Sequence, residues 1–340
     1  MKYIKKNKLM FHVIDTTGNK EVNTLFLNYN SKSKNIYQKN GFTNIITKNN
    51  INFKYHKIVN FIFILLIFVL LLKNILSYDI EIKTNKIGLN KIISDEFNNL
   101  PNYLYINGYS RNLNGKSILV QSTDDIIVLR WSNQLRNLSY LFHNLVNIVY
   151  AHLIYINNDN CNMSYMFYNC INLKTFSYSS SYYYYYYNYY YYDIVDMRGM
   201  FYNCLSLKEI SLSNFRGYSS YVNMSYLFYN CHSLSKVPCN FNSFDISDTR
   251  EMFYNCTSLE SIYFYPRNVL SEINMTRMFY NCNNIRTITF NTRIFPSDMS
   301  EMFYNCNSIT ELNLNYFRTN YVRYMKYMLY NRYMKDKIYF

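Results

Sequence analysis

Glycine and proline are scarce, seven and four among 340 residues, so a Gly-rich loop that cradles phosphates has almost nothing to be built from. Histidine is scarce too, and the five, at 12, 56, 143, 152 and 232, stand at no useful spacing from an acid or a nucleophile. Cys231 and His232 are chain neighbours, but on a helix-to-strand turn they would point apart. No Cys-x-x-Cys pair occurs, which removes the usual zinc-ligand spacing. These absences argue against an enzyme, a metal protein or a cofactor-dependent protein. Acidic residues are outnumbered 21 to 35 by basic ones, yet the excess is local. Residues 1–57 carry eleven Lys against Asp15 and Glu21, +9 of the total +14, and leave +5 for the rest. A basic tail of this kind fits membrane topology or an unstructured cytoplasmic arm, and with no nucleic-acid module beside it nucleic-acid binding is not expected.

What the chain has is apolar mass, 49% of its residues, enough for a large core and too much for disorder throughout. The 41 Tyr can reflect codon composition alone and are weighted lightly. One long apolar run stands out: Ile58 to Leu72, fifteen residues broken only by Asn60, resuming weakly at Ile75 and Leu76. As a helix, fifteen residues reach ~22 Å, short of a ~30 Å hydrocarbon core, unless the span extends to Leu76 with Lys73 snorkelling. Residues 58–76 are therefore expected to be a signal anchor or a signal peptide. Either way the tail stays inside and the rest crosses, giving a single-pass cell-surface protein, or a secreted one if the segment is cleaved. A buried core helix is the alternative reading of the same run.

From residue 137 to 340 the chain repeats itself eight times. The string Met-Phe-Tyr-Asn-Cys ends at Cys170, Cys204, Cys256, Cys282 and Cys306, and a Leu227 variant ends at Cys231. Weaker copies end at Leu145 and Arg332, and the seven intervals are 25, 34, 27, 25, 26, 24 and 26 residues. The one long interval holds a tyrosine-rich insertion, placed at 178–193, which reads as a recognition loop or as a tolerated slippage product. Apolar residues recur seven, four and three positions before each cysteine, as in Met275, Met278 and Phe279 before Cys282. Offsets of three and four predict one face of a two-turn helix. An Asn or Asp eight positions before the cysteine, at 137, 162, 196, 223, 248, 274 and 298, reads as its N-cap. Asp248 with Glu251, and Asp298 with Glu301, complete capping boxes. After the cysteine come Leu207 and then Ile210 and Leu212 two residues apart, a change to period two that predicts a short strand. Each unit is then helix, turn, strand, too small to bury its own stripe, so neighbours must stack.

The pattern from Phe244 to Phe264 resembles the BspA-like leucine-rich-repeat surface proteins, including the related repeats of mycoplasma lipoproteins. The resemblance covers about residues 137–340. It implies an α/β leucine-rich-repeat-like solenoid of short helices and short parallel strands, displayed on a cell surface for adhesion, with no catalytic residues to carry over. The expected partner is a protein or a glycan. An intracellular interaction scaffold and a passive structural coat protein are the competing classes. This chain departs from the family by its large tyrosines and its tyrosine tract. Residues 78–136 do not repeat. Ile80–Ile82, Tyr103–Ile106, Ser117–Val120 and Ile126–Trp131 read as strands of a small β-rich N-terminal cap over the first repeat's edge.

Two sets of side chains are candidate sites. Asn137, Asn162, Asn223, Asn255 and Asn274 each begin an Asn-x-Ser/Thr sequon, which in a secreted eukaryotic protein can carry an N-linked glycan, and four of them are also the N-cap positions, which N-capping alone explains. Cys170, Cys204, Cys231, Cys256, Cys282 and Cys306 form a structural repeat ladder, read as buried thiols, with disulfides between stacked neighbours as the alternative. Cys239 reads as a small hydrophobe on a strand.

Overall fold

The computed structural model describes residues 8–12, 24–28 and 78–339, apart from 134, 155–160, 180–193, 213–216, 238–240, 271 and 331–337. The apolar segment 58–76, Tyr182 to Tyr192 of the tyrosine tract, Cys239, Arg332 and Phe340 lie outside the described residues. Contacts divide the chain into residues 1–72 and 73–340. In the first unit, Lys8–His12 pairs antiparallel with Thr24–Asn28.

The second unit is a β-solenoid. Among the described residues there is no α-helix, and the one helical element is a three-residue 3-10 turn, Thr319–Tyr321. The expected stack of helix plus strand is thereby overturned. In place of each helix stand consecutive tight turns. In the coil that ends at Cys170, the N–H groups of Met166, Tyr168 and Cys170 donate to the carbonyls three residues back, Met163, Tyr165 and Phe167. The alternate groups leave the coil: Met163, Tyr165, Phe167 and Asn169 donate to Asp196, Arg198, Met200 and Tyr202 of the next one, at 2.8 to 2.9 Å. An α-helix would send all of them four residues back within its own turn.

The backbone reason is two left-handed residues per coil, five and one before the cysteine. Tyr165 and Asn169 have φ of 55° and 57°, Tyr226 and Asn230 59° and 58°, Arg277 and Asn281 53° and 58°. A right-handed helix cannot pass through such residues, whereas a chain folding back in turns needs them. The invariant Asn before the cysteine suits its place, since Asn enters this region more easily than other side chains.

The expected N-caps keep their hydrogen bond and lose their helix. Asn162 Oδ1 accepts from the Ser164 N–H at 2.8 Å, Asp196 from Arg198, Asp248 from Arg250 and Asp298 from Ser300, each two residues on. These are Asx turns, which satisfy backbone donors locally without requiring a helix to follow. The capping boxes are corrected as well. Glu251 and Glu301 turn outward to Arg277, whose Nη1 stands 3.8 Å from Glu251 and whose Nε donates to Glu301 at 3.1 Å.

Strands run on both sides of the turns. Before them, Cys161–Asn162, Ile194–Asp196, Gly217–Asn223, Phe244–Asp248 and Asn268–Val269 form one parallel sheet. After them, Ile148–Ile154, Thr175–Ser179 and Glu209–Ile210 pair parallel, and Ser261–Phe264, Thr287–Phe290, Glu311–Asn313 and Ile338–Tyr339 do so further down. Parallel pairing at about 4.8 Å sets the rise per coil. Tyr78–Thr84 extends the first of these ladders antiparallel, pairing with Ile148–Ile154 on one side and Ile127–Trp131 on the other. The upper edge of the first coil is thus occupied by the chain's own strand.

Like residues stack on like. The columns Met163-Met197-Met224, Phe142-Phe167-Phe201-Phe228-Phe253-Phe279-Phe303 and Cys170 to Cys306 are sealed from solvent, as are Leu207, Ile210 and Leu212 after the turn. Successive Phe rings stack 5.1 to 5.7 Å apart with near-parallel planes. One continuous core runs from the cap to Met328.

Candidate binding surface

The two-turn geometry decides which residues face out. Methionine, phenylalanine and cysteine at seven, four, three and zero positions turn inward, so the residues at two and five positions before the cysteine line the outer face. The first of these columns is aromatic from end to end. His143 stacks on Tyr168 at 4.9 Å, and Tyr168, Tyr202, Tyr229, Tyr254, Tyr280, Tyr304 and Tyr330 follow at 4.8, 4.4, 4.5, 4.7, 4.6 and 4.9 Å, all within 25° of parallel. The rings cover one another's faces, so Tyr168 to Tyr304 are half-buried and Tyr330 at the end is exposed. Half-burial raises the phenol pKa of Tyr202, Tyr229 and Tyr280, with neighbouring tyrosines adding to the shift.

Beside it, an asparagine column is linked side chain to side chain. Asn169 Nδ2 donates to Asn144 Oδ1 at 2.9 Å, Asn203 to Asn169 at 2.7 Å, Asn230 to Asn203 at 2.8 Å and Asn255 to Asn230 at 3.0 Å, and Asn305 repeats this on Asn281 at 2.9 Å. On the other flank the second column mixes rings and charges: Tyr140 stacked on Tyr165 at 5.4 Å, then Gly199 beneath the Tyr165 ring, Tyr226, Glu251, Arg277 and Glu301. Three arginines on this flank are ion-paired, and Lys326 lies 4.8 Å from the Tyr327 ring. Arg198 meets Asp196 at 2.9 Å, Arg250 meets Asp248 at 3.4 Å and lies 5.5 Å from the Tyr226 ring, and Arg277 bridges two glutamates. Burial raises the Asp248 and Glu251 carboxyls against the pull of these arginines. The face therefore presents columns of stacked rings, linked amides and largely paired ions side by side.

The cysteine column lies behind this face and does other work. Each Sγ donates to a carbonyl one coil back: Cys170 to Phe142 at 3.0 Å, Cys204 to Phe167 and Cys231 to Phe201 at 3.2 Å, Cys256 to Phe228 and Cys282 to Phe253 at 3.1 Å, Cys306 to Phe279 at 2.9 Å. No disulfide forms among the described residues. Burial pushes the Cys161 thiol up to about 12 and raises the six others too, so they stay protonated and unreactive.

The sequon asparagines fall into two settings. At Asn137 and Asn223 the carboxamide oxygen accepts both the N–H and the hydroxyl of the sequon serine, Ser139 and Ser225. Asn162 and Asn274 accept the N–H of Ser164 and Thr276. Asn255 sits in the asparagine column with its Nδ2 on Asn230 and 3.1 Å from His232 Nε2. Asn137 is exposed and the other four are half-buried.

Spacing hid two histidine contacts, one of them His143 Nδ1 at 3.2 Å from Glu96 Oε1 and the other a cluster between coils. Ser177 Oγ lies 2.6 Å from His152 Nδ1 and Ser179 Oγ 3.2 Å from Nε2, brought together by the strand pairing of adjacent coils. Hydroxyls occupy both ring nitrogens, so neither is left to be oriented by a carboxylate as a nucleophile's base requires. Among the described residues no three His, Cys, Asp or Glu side chains converge to hold a metal, and no helix is long and apolar enough to cross a membrane.

The tyrosine and asparagine columns have a signal in the sequence. Tyr-Asn precedes the cysteine in all six strong copies, and neither residue is needed by an apolar core. Compared with known protein families, residues 161–292 and 268–337 match one described as Mycoplasma protein of unknown function, DUF285, over more than half of the chain. No curated protein matches the chain.

Proposed function

We propose that this chain, which belongs to the DUF285 family, is a surface-displayed β-solenoid that binds a protein or glycan partner along its tyrosine column. The single observation that carries the reading is the unbroken stack from His143 to Tyr330 at one rung per coil. Tyrosine contributes large contact area at low rotamer entropy, and here that entropy has already been lost to stacking, so binding spends little on ordering the surface. Hydroxyl edges and amides in register favour a partner with many polar groups and broad C–H surface. The ion pairing of Arg198, Arg250 and Arg277 argues against a polyanion, whose affinity would need unpaired cations. Display outside the cell is supported by the apolar run after a basic tail and by the likeness to BspA-like surface repeats.

The test uses the full chain on arrays of neutral glycans and of extracellular proteins, beside Tyr229→Ser with Tyr254→Ser. Binding that falls tenfold or more in the double variant, with an unchanged circular dichroism spectrum, supports the reading. Undiminished binding overturns it, and self-assembly with no foreign ligand supports the coat-protein alternative. Protease shaving of intact cells tests display: loss of the repeats supports it, and full protection supports the intracellular scaffold.

A further inference from the structure

The N-terminal cap presents large aliphatic side chains to solvent where its own geometry gives no relief. Gly88–Lys91 pairs antiparallel with Ser117–Val120, and Leu89 stands directly opposite Leu119. Alternation sends Asn90, Ile118 and Val120 into the core and leaves Leu89 67% and Leu119 61% exposed, with Ile87 two residues earlier at 68%. The three make one ridge.

The ridge is held firmly. Asn90, itself buried, donates from Nδ2 to the carbonyls of Lys86 and Gly88, both at 2.9 Å, across the turn that carries Ile87. Buried Asn147 in turn donates to Asn90 Oδ1 and to the Lys91 carbonyl, each at 3.0 Å, and Thr84 Oγ1 donates to the Lys86 carbonyl. The turn cannot fold its side chains inward without breaking this buried network. Contiguous exposed apolar surface on a rigid support marks a contact with something apolar.

Charge and chain connectivity say what that is. No acidic residue stands between Lys83 and Ser94, and Lys86 and Lys91 flank the ridge in sequence; Lys91 pairs with exposed Asp95, and Lys116 Nζ donates to the Asp95 carbonyl at 2.8 Å. The apolar run ends at Leu72, six residues before Tyr78, a reach of at most about 20 Å. If that run is membrane-embedded, as the proposed display requires, the cap is confined near a bilayer, and a ridge too small to bind lipid from free solution acts at high effective concentration.

We propose that Ile87, Leu89 and Leu119 dip into the headgroup and acyl boundary of the membrane that holds the chain, with the flanking lysines at headgroup level. The proposal rests on the anchor reading and extends it: the cap is a second membrane contact. Aliphatic side chains beneath a rim of lysines are the usual makeup of an interfacial contact.

The test reconstitutes the full chain into phosphatidylcholine vesicles with and without brominated acyl chains. In a Cys239→Ser background the remaining cysteines are buried, so Leu119→Cys takes a bimane label alone, and Tyr263→Cys on a lower coil is the control. Expected are flotation with the vesicles, at least twofold quenching of the label at 119 by brominated lipid, and none at 263. Ile87→Asp with Leu89→Asp should keep flotation and abolish the quenching at 119. Flotation without quenching at 119 overturns the ridge and leaves the anchor standing. Failure to float overturns both.

Discussion

Asn230 separates the stacked-turn backbone from the helix its neighbourhood suggests. Its φ is 58°, its Nδ2 donates to Asn203 at 2.8 Å and its Oδ1 accepts from Asn255 at 3.0 Å. Replacement by Ala or by Gly removes both side-chain bonds, a loss of about 1–3 kcal/mol at ~0.5–1.5 kcal/mol net each. The two substitutions then part company. Ala in the left-handed region costs a further ~1–2 kcal/mol, whereas Gly adopts it freely and loses only ~0.5–1 kcal/mol through its looser unfolded chain. Stability should therefore fall in the order Asn, Gly, Ala, with Gly ahead of Ala by ~0.5–1 kcal/mol from the same balance. On a helix the order is Ala, Asn, Gly, with Ala ahead of Gly by ~1 kcal/mol. Urea titrations followed by circular dichroism for the coils and by Trp131 fluorescence for the cap give the ranking, and coincidence of the two probes tests whether the stack unfolds as one unit. An Ala variant as stable as the parent, or more stable than the Gly variant, would refute the stacked-turn backbone.

Three other expectations follow from the same stack. Phe228, sealed between the Phe201 and Phe253 rings at 5.7 and 5.4 Å, should cost ~3–5 kcal/mol on truncation to Ala. A loss under ~1 kcal/mol in urea would mean the column is not packed as described. The seven buried cysteines should resist a thiol reagent in the native protein and all react in denaturant, and any that stay silent in denaturant would reveal a disulfide. Stability should fall as pH rises past ~10: the unfolded phenols ionise there while Tyr202, Tyr229 and Tyr280, raised by burial, hold their protons, so only the unfolded chain gains. A urea midpoint that stays level through that range would show the tyrosine column to be solvated.

Much of this is visible in particular residues. Alternation in Tyr103–Ile106 and Ser117–Val120 coincides with burial because each lies on a sheet with one wet face. Ile210, on the strand Glu209–Ile210, points inward for the same reason, and Leu207 and Leu212 beside that strand are buried with it. The Asn and Asp eight positions before each cysteine carry their meaning locally, since the bond they accept is two residues away. The outer columns are harder to see. A tyrosine or an asparagine shows nothing of its partner when that partner is a copy of itself in another coil, and His152 meets Ser177 only through strand pairing.

The coil is legible in the sequence: its length near 25 residues, its inward Met, Phe, Cys and Leu, an Asn or Asp side chain that accepts a backbone bond at its opening, and the need for neighbours to complete the core. Tertiary structure decided what the backbone does between the Asx turn and the cysteine. Offsets of three and four describe a helix and a run of stacked turns equally well, because both return an apolar side chain to one face at that interval. The choice rests on where alternate N–H groups find their acceptors. Those acceptors, such as Asp196 for Met163 and Asp248 for Met224, lie a whole coil away, where no local pattern can point to them.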